Sequence, residues 1–123
     1  MNEEADRHSR GSKKRVFIVE DEWLLATLLE EMLLELGHTV FAVASKLKDG
    51  LRMAEQGDFD FAILDVSLQG ERSLAIADIL DARGLPYAFA TGYGLAGVEV
   101  ARHAPVLPKP YGIEDLRRIM PKT

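Results

Sequence analysis

Cysteine is missing from all 123 residues. Disulfides, thiolate metal sites and thiol nucleophiles are therefore excluded, and the chain is compatible with a reducing compartment. No apolar run approaches the roughly 20 residues that a membrane-spanning helix needs. The opening stretch MNEEADRHSRGSKKR carries no apolar segment of the kind a secretory signal requires. Positive charge is also in short supply. Fifteen Lys and Arg stand against twenty Asp and Glu, a net charge of -5, which weighs against nucleic acid as a direct partner because phosphate contacts dominate that affinity. The expectation is a cytoplasmic chain without membrane association.

What is present fits one domain of ordinary size, long enough to bury most of its apolar surface. Residues 1 to 14 mix both signs of charge with Ser and Gly and offer almost nothing to bury, so they are expected to form a disordered tail. Residues 15 to 121 are expected to hold the domain. From Arg15 onward a pattern repeats. RVFIVE reads as a strand. EWLLATLLEEMLLELG follows, with Leu24, Leu25, Leu28, Leu29, Met32, Leu33 and Leu36 at helical spacing, and closes at Gly37. HTVFAVA is a second strand. SKLKDGLRMAEQG is a helix with Ser45 as N-cap, Leu47, Leu51 and Ala54 inward, and Gly50 as an internal weakness of about 1 kcal/mol.

FDFAILD is a third strand, ERSLAIADILDARG a helix closed by Gly84, and PYAFAT a fourth strand. Residues 94 to 104, GLAGVEVARHA, form a weak helix. PVLPKP is a fifth strand, and IEDLRRIM a last helix with acids first and arginines later, as the helix dipole favours. Strand and helix alternate five times, and the strands are near-continuous apolar runs. That pattern predicts an α/β domain, doubly wound, with a parallel sheet covered on both faces.

In such sheets, functional groups gather outside the carboxyl ends of the strands. Strand one ends on Glu20, Asp21 and Glu22. Strand three ends on Asp65, strand four on Thr91, and strand five carries Lys109 between two prolines. Each has an ordinary explanation by itself: acids stabilise a helix N-terminus, Asp21 serves as a cap, Thr91 and Gly92 make a turn, and Lys109 lies in a loop. Asp65, at the end of an apolar strand, is harder to explain that way, and the conjunction argues for a site. Carboxylates gathered at one rim repel; two unit charges 4 Å apart interact by about 4 kcal/mol at an effective dielectric of 20. A single Lys does not balance that. A hard divalent cation does, and carboxylate oxygens with retained waters suit Mg²⁺. Such a site beside an Asp nucleophile, a Lys and a hydroxyl suits phosphoryl transfer.

The acids of VFIVEDE, the Asp of AILDVSL, the Thr of FATGYG and the Lys of LPKPY together resemble the receiver domain of two-component response regulators, over about residues 15 to 120. FATGYG further resembles the signature of the FAT GUY subgroup of single-domain receivers. The resemblance implies a CheY-like, flavodoxin-like single domain of five parallel strands in the order 2-1-3-4-5. It implies that Asp65 accepts a phosphoryl group from a sensor histidine kinase or phosphotransfer protein. Glu20, Asp21, Asp65 and the backbone carbonyl of Ser67 would hold Mg²⁺, with Lys109 and Thr91 meeting the phosphoryl oxygens. The chemistry implied is Mg²⁺-dependent self-phosphorylation and autodephosphorylation, not turnover of a separate substrate.

Output would come from a protein bound on the face of the fourth helix, fifth strand and fifth helix. The chain departs from the family at three points. In VSLQGE, Leu68-Gln69 replaces the common Met-Pro and Gly70 comes early, and Val106 stands where many receivers place a Tyr or Phe. Tyr93 and Tyr111 are the aromatics available to replace it. Competing readings are a phosphate sink, a relay intermediate, a phosphorylation-independent pseudo-receiver, a small Mg²⁺ hydrolase, and a piece of a longer regulator.

Overall fold

The computed structural model describes residues 13–68, 71–92 and 104–122. Apolar strand runs become sheet because their side chains alternate faces and both faces are covered. In β1 (Arg15–Val19), Val16 and Ile18 enter one core while Phe17 and Val19 enter the other. The same division recurs in β3 (Phe61–Asp65) and β6 (Tyr87–Thr91). With β2 (Thr39–Ala44) and β7 (Val106–Pro108), these form a five-stranded parallel sheet in the order β2-β1-β3-β6-β7. This is the predicted 2-1-3-4-5 order, β6 and β7 being the fourth and fifth strands of the sheet.

One face is covered by α2 (Leu47–Gln56) and α3 (Leu74–Arg83), around Phe17, Leu64, Ile76, Leu80 and Phe89. The other is covered by α1 (Trp23–Glu35) and α4 (Ile113–Ile119), around Ile18, Leu29, Leu33, Ile63 and Leu116. The doubly wound reading therefore holds, with four helices among the described residues. None of these is long and apolar enough to cross a membrane. The predicted helix at residues 94 to 104 lies outside the described residues except for Ala104, as does nearly all of the predicted tail.

Four local readings are corrected. First, α1 buries Ala26, Leu29 and Leu33, while Leu24 and Leu28 face outward beside Trp23, which is 77% exposed. Seven apolar positions span a wider arc than one sheet face covers, so the stripe rotated onto the core is narrower than the apolar sequence. Second, α2 is preceded by Lys46, not Ser45, and without a side-chain cap. Third, residues 71 and 72 are not helical. They form β5 (Glu71–Arg72), antiparallel to β4 (Ser67–Leu68), and α3 starts only after Ser73.

The fourth correction concerns Gly50. A Cβ there would sit 2.6 Å from Cδ1 of Ile76, itself fully buried in α3. The glycine permits close contact between α2 and α3, which outweighs its poor helix propensity. Elsewhere the expected signals operate as read. Gly37 adopts φ 93°, and His38 and Gly37 donate their N–H groups to the carbonyls of Leu33 and Leu34, the paired bonds of a Schellman ending. Arg83 reaches from α3 to donate to the Ala54 and Gly57 carbonyls at the end of α2, and so occupies acceptors that a helix end leaves open. In α4, the Asp115 carboxylate accepts the Gly112 N–H at 2.9 Å. That bond and Arg118 hold its carboxyl below the usual range.

Candidate functional site

Strand register builds the site. Val19 pairs with Leu64, so the next residues, Glu20 and Asp65, end side by side. Asp65 pairs with Ala90, which places Thr91 one step beyond it. Thr91 pairs with Pro108, which places Lys109 one step beyond that. Backbone bonds hold the rim in this arrangement: Glu20 N–H to Ala44, Val66 N–H to Ala90 and Lys109 N–H to Thr91, at 2.9–3.0 Å. The order of strands reverses between β1 and β3, the place where open α/β sheets present a crevice.

Glu20 is 3% exposed, Asp65 7% and Thr91 3%. The Lys109 ammonium bridges the two acids, 3.0 Å from Oε1 of Glu20 and 3.1 Å from Oδ2 of Asp65. The other Glu20 oxygen accepts the Glu22 N–H at 3.1 Å. Glu20, Asp21 and Asp65 each offer a carboxylate oxygen, all within 4.8 Å of one another. Glu22 lies outside this group: it is exposed and precedes the first turn of α1.

Burial pushes the Glu20 carboxyl up to about 7; the Asp65 charge adds to the rise, while the Glu22 N–H and Lys109 oppose it. Burial works against the Lys109 ammonium, yet its bond to Glu20 and the charges of Asp65 and Glu20 outweigh it and raise its pKa. Among the described residues, three carboxylates lie close together and one ammonium, that of Lys109, bridges two of them. The donors are all hard oxygens, and that set fits Mg²⁺.

The rim residues coincide with the sheet ends predicted from sequence, and a family profile described as response regulator receiver domain matches residues 16–120. The chain belongs to this family. PdtaR of Mycobacterium tuberculosis, a transcriptional regulatory protein, is 33% identical over 108 residues, which are 84% of this chain and 53% of PdtaR. This receiver thus spans about half the length of that curated relative. SdrG from Sphingomonas melonis Fr1 is 37% identical with a TM-score of 0.78, and the match covers 88% of this chain and 93% of SdrG. The response regulator PhyR from Brucella abortus is 26% identical with a TM-score of 0.76, covering 87% of this chain and 46% of PhyR.

Sequence reasoning missed one residue that supports the receiver site. Ser73 is fully buried, and its hydroxyl turns back to donate to the carbonyls of Asp65, at 2.5 Å, and Val66, at 3.4 Å. Its N–H donates to Val66 as well. It thereby ties the β4–β5 hairpin closed behind Asp65. The available signal was a Ser just before the apolar run of α3, a pattern that ordinarily reads as a cap.

The aromatic question divides in two. Tyr93 lies outside the described residues. Val106 packs on the α2–α3 side of the sheet, whereas Tyr111 packs on the α1–α4 side. Tyr111 therefore does not fill the place that Val106 leaves.

Proposed function

We propose that this receiver is a cytoplasmic phosphorylation switch in a two-component phosphorelay, with Asp65 as acceptor. The observation that carries the reading is the bridged cluster itself: Lys109 between Glu20 and Asp65, with Asp21 close enough for a shared cation. Glu20, Asp21, Asp65 and the Ser67 carbonyl would hold Mg²⁺, which when bound would neutralise charge on the transferring phosphoryl group. An Asp65 oxygen attacks the phosphorus of a phosphohistidine. The P–N bond breaks, and the imidazole leaves with its electron pair as an aspartyl phosphate forms. Lys109 turns from the carboxylates to a phosphoryl oxygen, and the Thr91 hydroxyl donates to another. Water later hydrolyses the acyl phosphate, so the chain acts on itself and on no separate substrate.

The donor would be a sensor histidine kinase or a phosphotransfer protein. Output would be a protein bound on the face of β7 and α4, where Lys109 couples the site to β7. The FATGYG run supports placement in the FAT GUY subgroup. The test is intact-mass spectrometry after incubation with phosphoramidate and Mg²⁺. One phosphoryl group is expected, absent with EDTA and absent in Asp65→Asn. Labelling that persists in Asp65→Asn would remove Asp65 from the role. A wild-type chain that never labels would favour a phosphorylation-independent adaptor.

A further inference from the structure

We propose that Tyr111 is a positioning residue of this site, its hydroxyl taking over the Glu20 carboxylate when Lys109 leaves it. The inference rests on the reading above, that the rim takes Mg²⁺ and a phosphoryl group.

Among the described residues, the Tyr111 hydroxyl is the one buried side-chain polar atom without a hydrogen-bond partner. Such groups are few in folded proteins, and each one calls for a reason. Packing does not supply it. The ring lies against the apolar cluster of α1 and α4, where a phenylalanine would fill the same space without burying a hydroxyl. The charges that act on this hydroxyl are those of the site: Glu20 foremost, then Lys109, Asp65 and Glu22. The side chain thus packs in the core with its hydroxyl buried, two residues beyond Lys109, whose ammonium binds Glu20. Burial, and next the Glu20 charge, push the phenol up to about 12, and it remains an O–H donor at neutral pH.

A donor is what Glu20 will need. In the resting arrangement one Glu20 oxygen is held by the Glu22 N–H and the other by Lys109. Lys109 also holds Asp65. A phosphoryl group on Asp65 brings new anionic oxygens that compete for the same ammonium. Glu20 then shares the cation but has lost the N–H donor that Lys109 gave its Oε1, a costly loss for a buried carboxylate unless another donor arrives. Tyr111 is an uncommitted donor whose strongest charged influence is that carboxylate.

Tyr111→Phe removes the hydroxyl and little else. Thermal melts in EDTA would compare metal-free stability. Titration with Mg²⁺ in the presence of beryllofluoride, a phosphoryl mimic, would be followed by Trp23 fluorescence and by calorimetry. The variant is expected to match or exceed wild type in metal-free stability, because an unpaired buried hydroxyl is gone. Its affinity for the Mg²⁺–beryllofluoride pair should fall roughly tenfold, the scale of one hydrogen bond to a charged group. In a Glu20→Ala background the same change should have no further effect. Equal affinity of wild type and Tyr111→Phe would overturn the inference while leaving the phosphorylation reading in place. So would a variant less stable than wild type in EDTA, since the hydroxyl would then be engaged at rest. A wild type with no saturable response would remove the site reading and this inference together.

Discussion

At the scale of single residues, the account turns on charge that the fold brings together at a cost. Glu20 is a buried acid facing Asp65, with its carboxyl raised from 4.5 to about 7 by burial first and by that neighbour. A carboxyl raised on folding stabilises the protein below its unfolded pKa and loses that advantage as pH rises through the folded value. Metal-free protein should therefore lose stability between about pH 4.5 and 7, by on the order of 3 kcal/mol from Glu20. Denaturant unfolding in EDTA at pH 5 and pH 7.5 checks this against Glu20→Gln, in which the loss should largely vanish. Parallel pH dependences in the two proteins would mean that Glu20 is not strained in the resting site. The same asymmetry supports the proposed cation: Lys109 is shared between two acids.

At the scale of elements, two contacts decide how firmly the site is held. The hairpin after β3 is closed by Ser73, whose hydroxyl donates to the Asp65 and Val66 carbonyls. Ser73→Ala leaves those buried acceptors short of a donor and should cost about 1–3 kcal/mol. It should also slow phosphorylation of Asp65, measured as the rate of labelling by phosphoramidate, because the acceptor strand end is no longer tied. A variant that loses stability but labels at the wild-type rate would confine Ser73 to a structural role. The second contact is the close approach of α2 and α3 at Gly50. Gly50→Ala gains about 1 kcal/mol in helix propensity but forces a methyl against Ile76, an overpacking typically worth 1–3 kcal/mol. A net loss is expected. Ile76→Val removes the clashing methyl, so the double variant should be more stable than the sum of the single changes by about 1 kcal/mol. Strict additivity would show that Gly50 is not there for the approach.

At the scale of the whole molecule, the order of strands and the carboxyl-end rim were legible because they follow from long patterns. Five apolar runs alternating with helical periods leave few topologies, and the residue following each run is then obliged to lie at one edge. Asp65, Glu20, Thr91 and Lys109 are legible in the sequence for that reason. What was not legible depended on contacts between distant elements. Gly50 reads as a defect until Ile76 is seen against it. Ser73 reads as a cap until its hydroxyl is seen to turn back to Asp65. The leucines of α1 overstate the core face, because a one-dimensional period does not reveal how much of a helix its neighbours cover. Tyr111 stood out in sequence only as an aromatic near Lys109, and its buried, unpartnered hydroxyl required the packing of α1 and α4 against the sheet.

The central claim is that Asp65, the cation-binding acids, Thr91 and Lys109 act as one phosphoryl-responsive unit. The most direct measurement is an amide NMR titration with Mg²⁺, followed by beryllofluoride, in wild type and Asp65→Asn. The account predicts saturable shifts at Asp21, Asp65, Thr91 and Lys109 with Mg²⁺. A second set along β7 and its flanking segments should appear only when beryllofluoride is added to the wild-type chain. Shifts that never saturate, or a beryllofluoride response that survives in Asp65→Asn, would contradict it.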